Sequence, residues 1–220
     1  MRFAHRWVGP PLLRRLRATV TGAERVPLSG GLIIASNHRS FLDHFLLNAA
    51  CPRPMHFLGK SELATGPFGW FNEAMGMVPV QRGTGDLRAI DKIVDLLRGG
   101  TVVGIFPEGT RSRTGELYRF RSGLARIAAT AEVPAIAAGL VGTAEVWPPN
   151  TLPSPRRPPG GLLAVHFGAI VPAPTQHAAS RREFTRLVRE EVRALCGQPL
   201  AVGFAPMPTD SSAGKANATR

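Results

Sequence analysis

Asn37-His38-Arg39-Ser40-Phe41-Leu42-Asp43 and Phe106-Pro107-Glu108-Gly109-Thr110-Arg111-Ser112-Arg113 are the two stretches that decide how this chain is read. The first offers a base with a carboxylate five positions on, and the second a set of anion-binding groups. Each directly follows a short apolar run, Leu32-Ile33-Ile34-Ala35 and Val102-Val103-Gly104-Ile105, of the kind that forms a buried strand ending in a turn. Two such strand ends deliver polar groups to one edge of a sheet, where open α/β folds bind ligands.

The first stretch also has a structural reading. Ser40-Phe41-Leu42-Asp43 is a capping-box spacing, so Asp43 could simply tie down the first turn of a helix running to about Ala50. That explains Ser40 and Asp43 but gives no reason for an Asn-His pair just before the cap. His44 falls outside the spacing and reads as structural or solvent-facing.

Working outward, Leu87, Ile90, Ile93, Val94 and Leu97 recur at helical spacing, with Gly99-Gly100 as the stop. Phe120 to Glu132 reads as a helix, Ala135 to Val141 and Leu162 to Phe167 as strands, and Arg181 to Leu195 as a basic closing helix. The aromatic-rich segment from Met55 to Phe71 reads mainly as core. Residues 148–161, with six prolines and two glycines, form an irregular loop. Residues 1–20 interleave Phe3, Trp7, Leu12, Leu13, Leu16 and Val20 with five arginines and are interrupted at Gly9-Pro10-Pro11, which predicts two short basic helices. They fit an interfacial anchor among anionic headgroups or a surface helix packed on the core, and the pattern leaves both open.

With 220 residues the chain supports one α/β domain with a sizeable core and is too short for two with linkers. Net charge is +12, and 24 of the 27 basic residues are arginine, so an anionic partner is expected: phospholipid headgroups, nucleic acid, coenzyme A phosphates or an acidic carrier protein. Cys51 and Cys196 lack the spacing of a zinc site or disulfide framework, which makes a reducing compartment the default. No apolar stretch is long enough to span a bilayer, so contact with a membrane would be peripheral.

The two opening stretches resemble the first and third motifs of the glycerolipid acyltransferases typified by lysophosphatidic acid acyltransferase. Val78-Pro79-Val80-Gln81-Arg82-Gly83 resembles the family's arginine-bearing second motif, and Val133-Pro134-Ala135-Ile136 its fourth, both in the expected order. The likeness covers roughly residues 24–195. The expected architecture is a single α/β domain over residues 22–196, a mixed central sheet flanked by helices. A basic amphipathic segment precedes it at 1–21, and a flexible tail follows at 197–220.

The resemblance implies esterification of a lysophospholipid, in first place the 2-hydroxyl of 1-acylglycerol 3-phosphate, with acyl-CoA or acyl-carrier protein as donor. His38 is then the general base that deprotonates the attacking hydroxyl, and Asp43 fixes its tautomer and stabilises the imidazolium. Arg82, Gly109, Thr110 and Arg111 hold the acceptor's phosphate, since glycine lets backbone N–H groups approach an anion and arginine binds it bidentately. Glu108 would repel phosphate, so it is assigned to orienting an arginine or contacting a glycerol hydroxyl. Lys60 resembles a family lysine near the headgroup site, and the segment after Met55 helps line the fatty-chain groove. No metal or other cofactor is expected. The protein is expected at the cytoplasmic face of an anionic membrane, without nucleic acid. The motifs leave open glycerol 3-phosphate or another hydroxylated lipid as acceptor. The charge leaves open a different class, a non-enzymatic basic module for membrane or nucleic acid.

Overall fold

Strand β2 (Leu32–Ser36) alternates its side chains between two helical layers, and it is buried along its whole length. Leu32 and Ile34 face one layer, Ile33 and Ala35 the other, and all four are at most 1% exposed. A strand apolar on both faces belongs inside a parallel sheet with helices above and below. In the computed structural model, which describes residues 2–60, 69, 76–80, 87–149, 151–152 and 156–206, that is its position.

The described elements follow as α1 (Arg2–Leu16), β1 (Thr19–Thr21), β2, α2 (Leu42–Ala50), β3 (Met55–Lys60), β4 (Met77–Val80), α3 (Leu87–Arg98) and β5 (Val102–Ile105). After them come α4 (Gly123–Ala131), β6 (Ala135–Val141), α5 (Thr143–Val146), β7 (Ala164–Val171) and α6 (Ala178–Cys196). The sheet is a mixed seven-stranded one in the order β1-β7-β6-β2-β5-β3-β4. All neighbours are parallel except β6 and β7, so β7 and its partner β1 run against the rest. Strands β2 and β5 are adjacent and in register from Leu32/Val102 to Ala35/Ile105, so the two motif turns leave the same edge side by side.

On one face α3, α4 and α6 bury Ile93, Leu97, Leu124, Val188 and Val192 against Ile33 and Val103. On the other, Leu42, Leu46 and Leu47 of α2 pack on Leu32, Ile34 and Val102, with Leu13 and Leu16 of α1 at the margin. The glycine inside β5 has a packing reason: a Cβ at Gly104 would collide with the Phe57 ring from β3.

Several local expectations are corrected. Residues 2–16 form one continuous helix through Pro10 and Pro11, not two. Both prolines lie on its exposed side, while Gly9 is buried where a Cβ would come within 3.4 Å of Ala49 Cα. The helix therefore packs on α2, anchored further by His5 Nε2 at 2.8 Å from the Cys51 carbonyl. Strands β1, β3 and β4 were not anticipated; β3 and β4 pair in parallel although each contains a poor strand former, Gly59 and Pro79. β7 continues past Phe167 to Val171, and α4 begins three residues later than Phe120.

The segment after Gly197, assigned to a loose tail, is held in place through residue 206. Arg189 donates to the carbonyls of Leu117, Tyr118 and Ala201, Arg121 donates to that of Ala205, and Ala201 and Ala205 are buried. Composition misled here because arginine-to-carbonyl bonds, which have no sequence pattern, do the holding. Both cysteines are free, Cys51 buried and Cys196 partly so. No helix among the described residues is long and apolar enough to cross a membrane.

Candidate active site

The turn after β2 is built by side chains standing in for backbone. Asn37 is 1% exposed, and its amide acts as a surrogate peptide for β6: Nδ2 donates to the Leu140 carbonyl at 2.9 Å and Oδ1 accepts from the Leu140 amide at 2.8 Å. Nδ2 also donates to Gln198 Oε1 at 2.7 Å, and Gln198 Nε2 reaches the Gly115 carbonyl at 2.7 Å. One asparagine thus ties the end of β2 to β6, to the chain after α6 and, through Gln198, to the loop of the second stretch.

His38 follows, 8% exposed, with Nδ1 at 2.8 Å from Asp43 Oδ2. The same oxygen accepts the backbone amides of Arg39 at 2.6 Å and Ser40 at 2.8 Å. Asp43 therefore fulfils both sequence readings: it closes the first turn of α2 back onto Ser40 and it holds the imidazole. Burial pushes the Asp43 pKa up, but the His38 bond and charge, the Ser40 amide and the Thr143 hydroxyl outweigh it and hold it below 3.8. An ionised carboxylate only accepts, so Nδ1 is the nitrogen that donates to Asp43 and Nε2 is the one left facing away from it. Phe106 stacks on the imidazole with centroids 4.1 Å apart, and the His44 ring meets it edge-on at 5.1 Å. His44 is thus a packing partner of the His38 ring.

The second turn is bonded to the first by Glu108. This residue is fully buried; Oε1 accepts the His38 amide at 2.9 Å and Oε2 the Tyr118 amide at 2.9 Å. Ser112 returns the link, its amide donating to the His38 carbonyl at 2.7 Å. Both carboxylate oxygens are thereby engaged with backbone, not with the arginine or substrate hydroxyl the sequence suggested. Arg121 approaches Glu108 only at its main chain, donating Nε to the carbonyl at 3.4 Å. Burial raises the Glu108 carboxyl to about 7, opposed by the Tyr118 and His38 amides.

Gly109 is exposed with φ +81°, a conformation that favours glycine, and Thr110 and Arg111 are half-buried beside it. The Arg111 guanidinium has no acceptor among the described residues. Lys60 ends β3 in register with Val80, and its side chain lies outside the described part; Arg82 and most of the segment assigned to the fatty-chain groove lie outside it altogether. No cluster of three metal-ligating side chains forms among the described residues. The two serines near the pair are occupied: Ser36 Oγ donates to Asn37 Oδ1 at 3.3 Å, and Ser40 Oγ donates to the Trp147 carbonyl at 2.6 Å. Phe106, Thr143 and Gln198 were missed, because their roles come from contacts distant in sequence. Only the position of Phe106, directly before Pro107-Glu108, hinted at one.

The Glu108 linkage has a pH signature. Between its ordinary 4.5 and about 7 the folded chain retains a proton that the unfolded chain has released, so stability falls as pH rises through that window, by on the order of 3 kcal/mol. Asp43 has the opposite sign: its contribution is complete above 3.8 and is lost only as pH falls through its lower folded value. Glu108→Gln places an N–H group against one of the two amides, and we expect it to cost about 1–3 kcal/mol. Denaturant unfolding from pH 4.5 to 7.5 checks both effects, the variant losing the wild-type slope across this range.

The sequence matches the acyltransferase family over residues 17–141. It is 32% identical over 146 residues to a chloroplastic 1-acyl-sn-glycerol-3-phosphate acyltransferase of Brassica napus, covering 64% of this chain and 42% of the relative. It is 31% identical over 125 residues to the 1-acyl-sn-glycerol-3-phosphate acyltransferase of Bacillus subtilis, covering 56% of this chain and 62% of that one. The chain thus spans less than half the length of the plant relative. The fold is similar to that of the 1-acyl-sn-glycerophosphate acyltransferase of Thermotoga maritima, with a TM-score of 0.68, 22% identity, and 88% and 82% of the two chains covered. With its paired histidine and aspartate lying inside the matched region, the chain belongs to the acyltransferase family.

Proposed function

We propose that the protein moves an acyl group from a thioester, acyl-CoA or acyl-carrier protein, to the 2-hydroxyl of 1-acylglycerol 3-phosphate. The observation that carries this reading is the His38–Asp43 pair bonded through Glu108 to the turn that presents Gly109, Thr110 and Arg111. A base and a cradle for an anion stand on adjacent strand ends, and the relatives named above act on an acceptor with both a hydroxyl and a phosphate.

In this mechanism Nε2 of His38 takes the acceptor's hydroxyl proton as its oxygen attacks the thioester carbonyl. Asp43 stabilises the imidazolium that forms, without taking its proton. The tetrahedral intermediate collapses to the ester, the C–S bond breaks, and the proton on Nε2 passes to the departing thiolate. The engagement of Ser36 and Ser40 with neighbouring groups supports direct transfer, without an acyl-enzyme. Gly109, Thr110 and Arg111 hold the acceptor's phosphate, together with Arg82 from outside the described residues.

The acceptor is a lipid, and we assign peripheral contact with an anionic bilayer to the outer side of α1, where Trp7 is 63% and Val8 37% exposed among arginines. Trp7→Ser should then lower co-sedimentation with anionic vesicles; unchanged binding would move the contact elsewhere.

Release of free thiol from acyl-CoA, followed over a panel of acceptors, tests the chemistry. Release should depend on 1-acylglycerol 3-phosphate, and equal release without any acceptor would instead mean a thioesterase. His38→Ala should lower turnover about a hundred- to ten-thousand-fold with the fold intact by circular dichroism. Arg111→Ala should raise KM for the phosphorylated acceptor about tenfold and leave that for the donor unchanged.

A further inference from the structure

A second arginine-rich region remains unused by this mechanism. A cavity of about 510 Å³ lies between the N-terminal turn of α4, the outer side of α6 and the segment following α6, and neither His38 nor Asp43 lines it. Arg119, Arg181, Arg182, Arg186 and Arg189 face it, against one carboxylate, Glu190. Two of these arginines are committed. Arg186 is clamped by Glu183 and Glu190, each at 2.6 Å, and Arg189 donates to three backbone carbonyls. The guanidiniums of Arg119, Arg181 and Arg182 have no hydrogen-bond acceptor among the described residues. Like charges gathered around one hollow repel each other, and an anion relieves that repulsion.

The cavity also has an aromatic wall. Phe204 is 52% exposed and is flanked by the guanidiniums of Arg119 and Arg121 at 5.2 and 5.6 Å from its centroid. A flat ring accepts a stacked base, and arginines accept phosphates bidentately. Arg121 connects this wall to the catalytic turn through its bond to the Glu108 carbonyl, and its side chain runs beside exposed Gly109.

We propose that this cavity holds the phosphorylated nucleotide head of a coenzyme A thioester, its phosphates among Arg119, Arg181 and Arg182 and its adenine on Phe204. The proposal rests on the acyl-transfer reading and deepens it by naming the donor. From the cavity the pantetheine arm runs along Arg121, whose guanidinium reaches the Glu108 carbonyl, toward His38. The volume falls within the usual range for small-molecule sites. An acidic carrier protein would be drawn by the same charge, but a hollow with an aromatic wall suits a nucleotide better than the convex surface of a protein.

The test is calorimetric titration of the full chain with CoA, with dephospho-CoA, which lacks the 3′-phosphate, and with pantetheine. Arg181→Gln and Arg182→Gln remove guanidiniums that bond to no acceptor among the described residues, so both variants should remain folded. Each should weaken CoA about tenfold, and the pair together should abolish the preference for CoA over dephospho-CoA. KM for acyl-CoA should rise with kcat unchanged, while an acyl-pantetheine donor should be unaffected. CoA affinity equal in wild type and double variant overturns the site, as does binding of an acidic carrier protein that depends on these arginines while CoA does not bind. Titration needs no turnover. A chain that binds CoA through these residues but transfers no acyl group keeps the site and loses the acyl-transfer reading; one that transfers from acyl-CoA untouched by the variants loses the site alone.

Discussion

The geometry at the sheet edge depends on a buried carboxylate, Glu108, that bonds to backbone on both sides. Its two oxygens hold the amides of His38 and Tyr118, and the Ser112 amide on the His38 carbonyl and the Asn37–Gln198–Gly115 chain of bonds tie the same two segments together. A buried carboxylate is costly unless its lone pairs are satisfied, and here each oxygen accepts an N–H. Once paid for by those bonds, it makes the two motif turns one rigid body. A glutamate that looks wrong for an anion site on charge grounds is therefore in place for structural reasons, its side chain fully buried against two backbone amides.

The same economy applies at Asp43. Capping a helix and orienting an imidazole looked like competing explanations in the sequence, but one oxygen, Oδ2, takes His38 Nδ1 and the amides of Arg39 and Ser40 together. Helix α2 thereby becomes the support for the carboxylate, and Phe106 on the ring face limits how the imidazole can tilt. Oδ1 closes no hydrogen bond of ordinary geometry, with the buried Thr143 hydroxyl as its nearby polar group.

Much of this was legible from residues alone. The apolar runs at Leu32 and Val102 gave the two motif strands, the period through Leu87 to Leu97 gave α3, and the spacing from His38 to Asp43 pointed to two side chains that the fold brings into hydrogen-bond contact. What escaped was non-local or locally disfavoured. Strands β3 and β4 carry a glycine and a proline, so pairing, not propensity, makes them strands. Helix α1 runs through two prolines because packing on α2 offsets their cost. The segment after α6 reads as a tail by composition and is held by arginine-to-carbonyl bonds. The role of Glu108 was hidden because its partners are amides, which every residue has.

The antiparallel turn of β7 sends α6 back toward the edge that carries His38, which is how Gln198 comes to meet Asn37. Asn37 waits on partners 103 and 161 residues further along the chain. During synthesis from the N-terminus, the loop holding His38 cannot settle until β6 and then the residues after α6 have emerged. The turn that carries His38 should therefore be among the last parts of this chain to reach its native geometry as it leaves the ribosome.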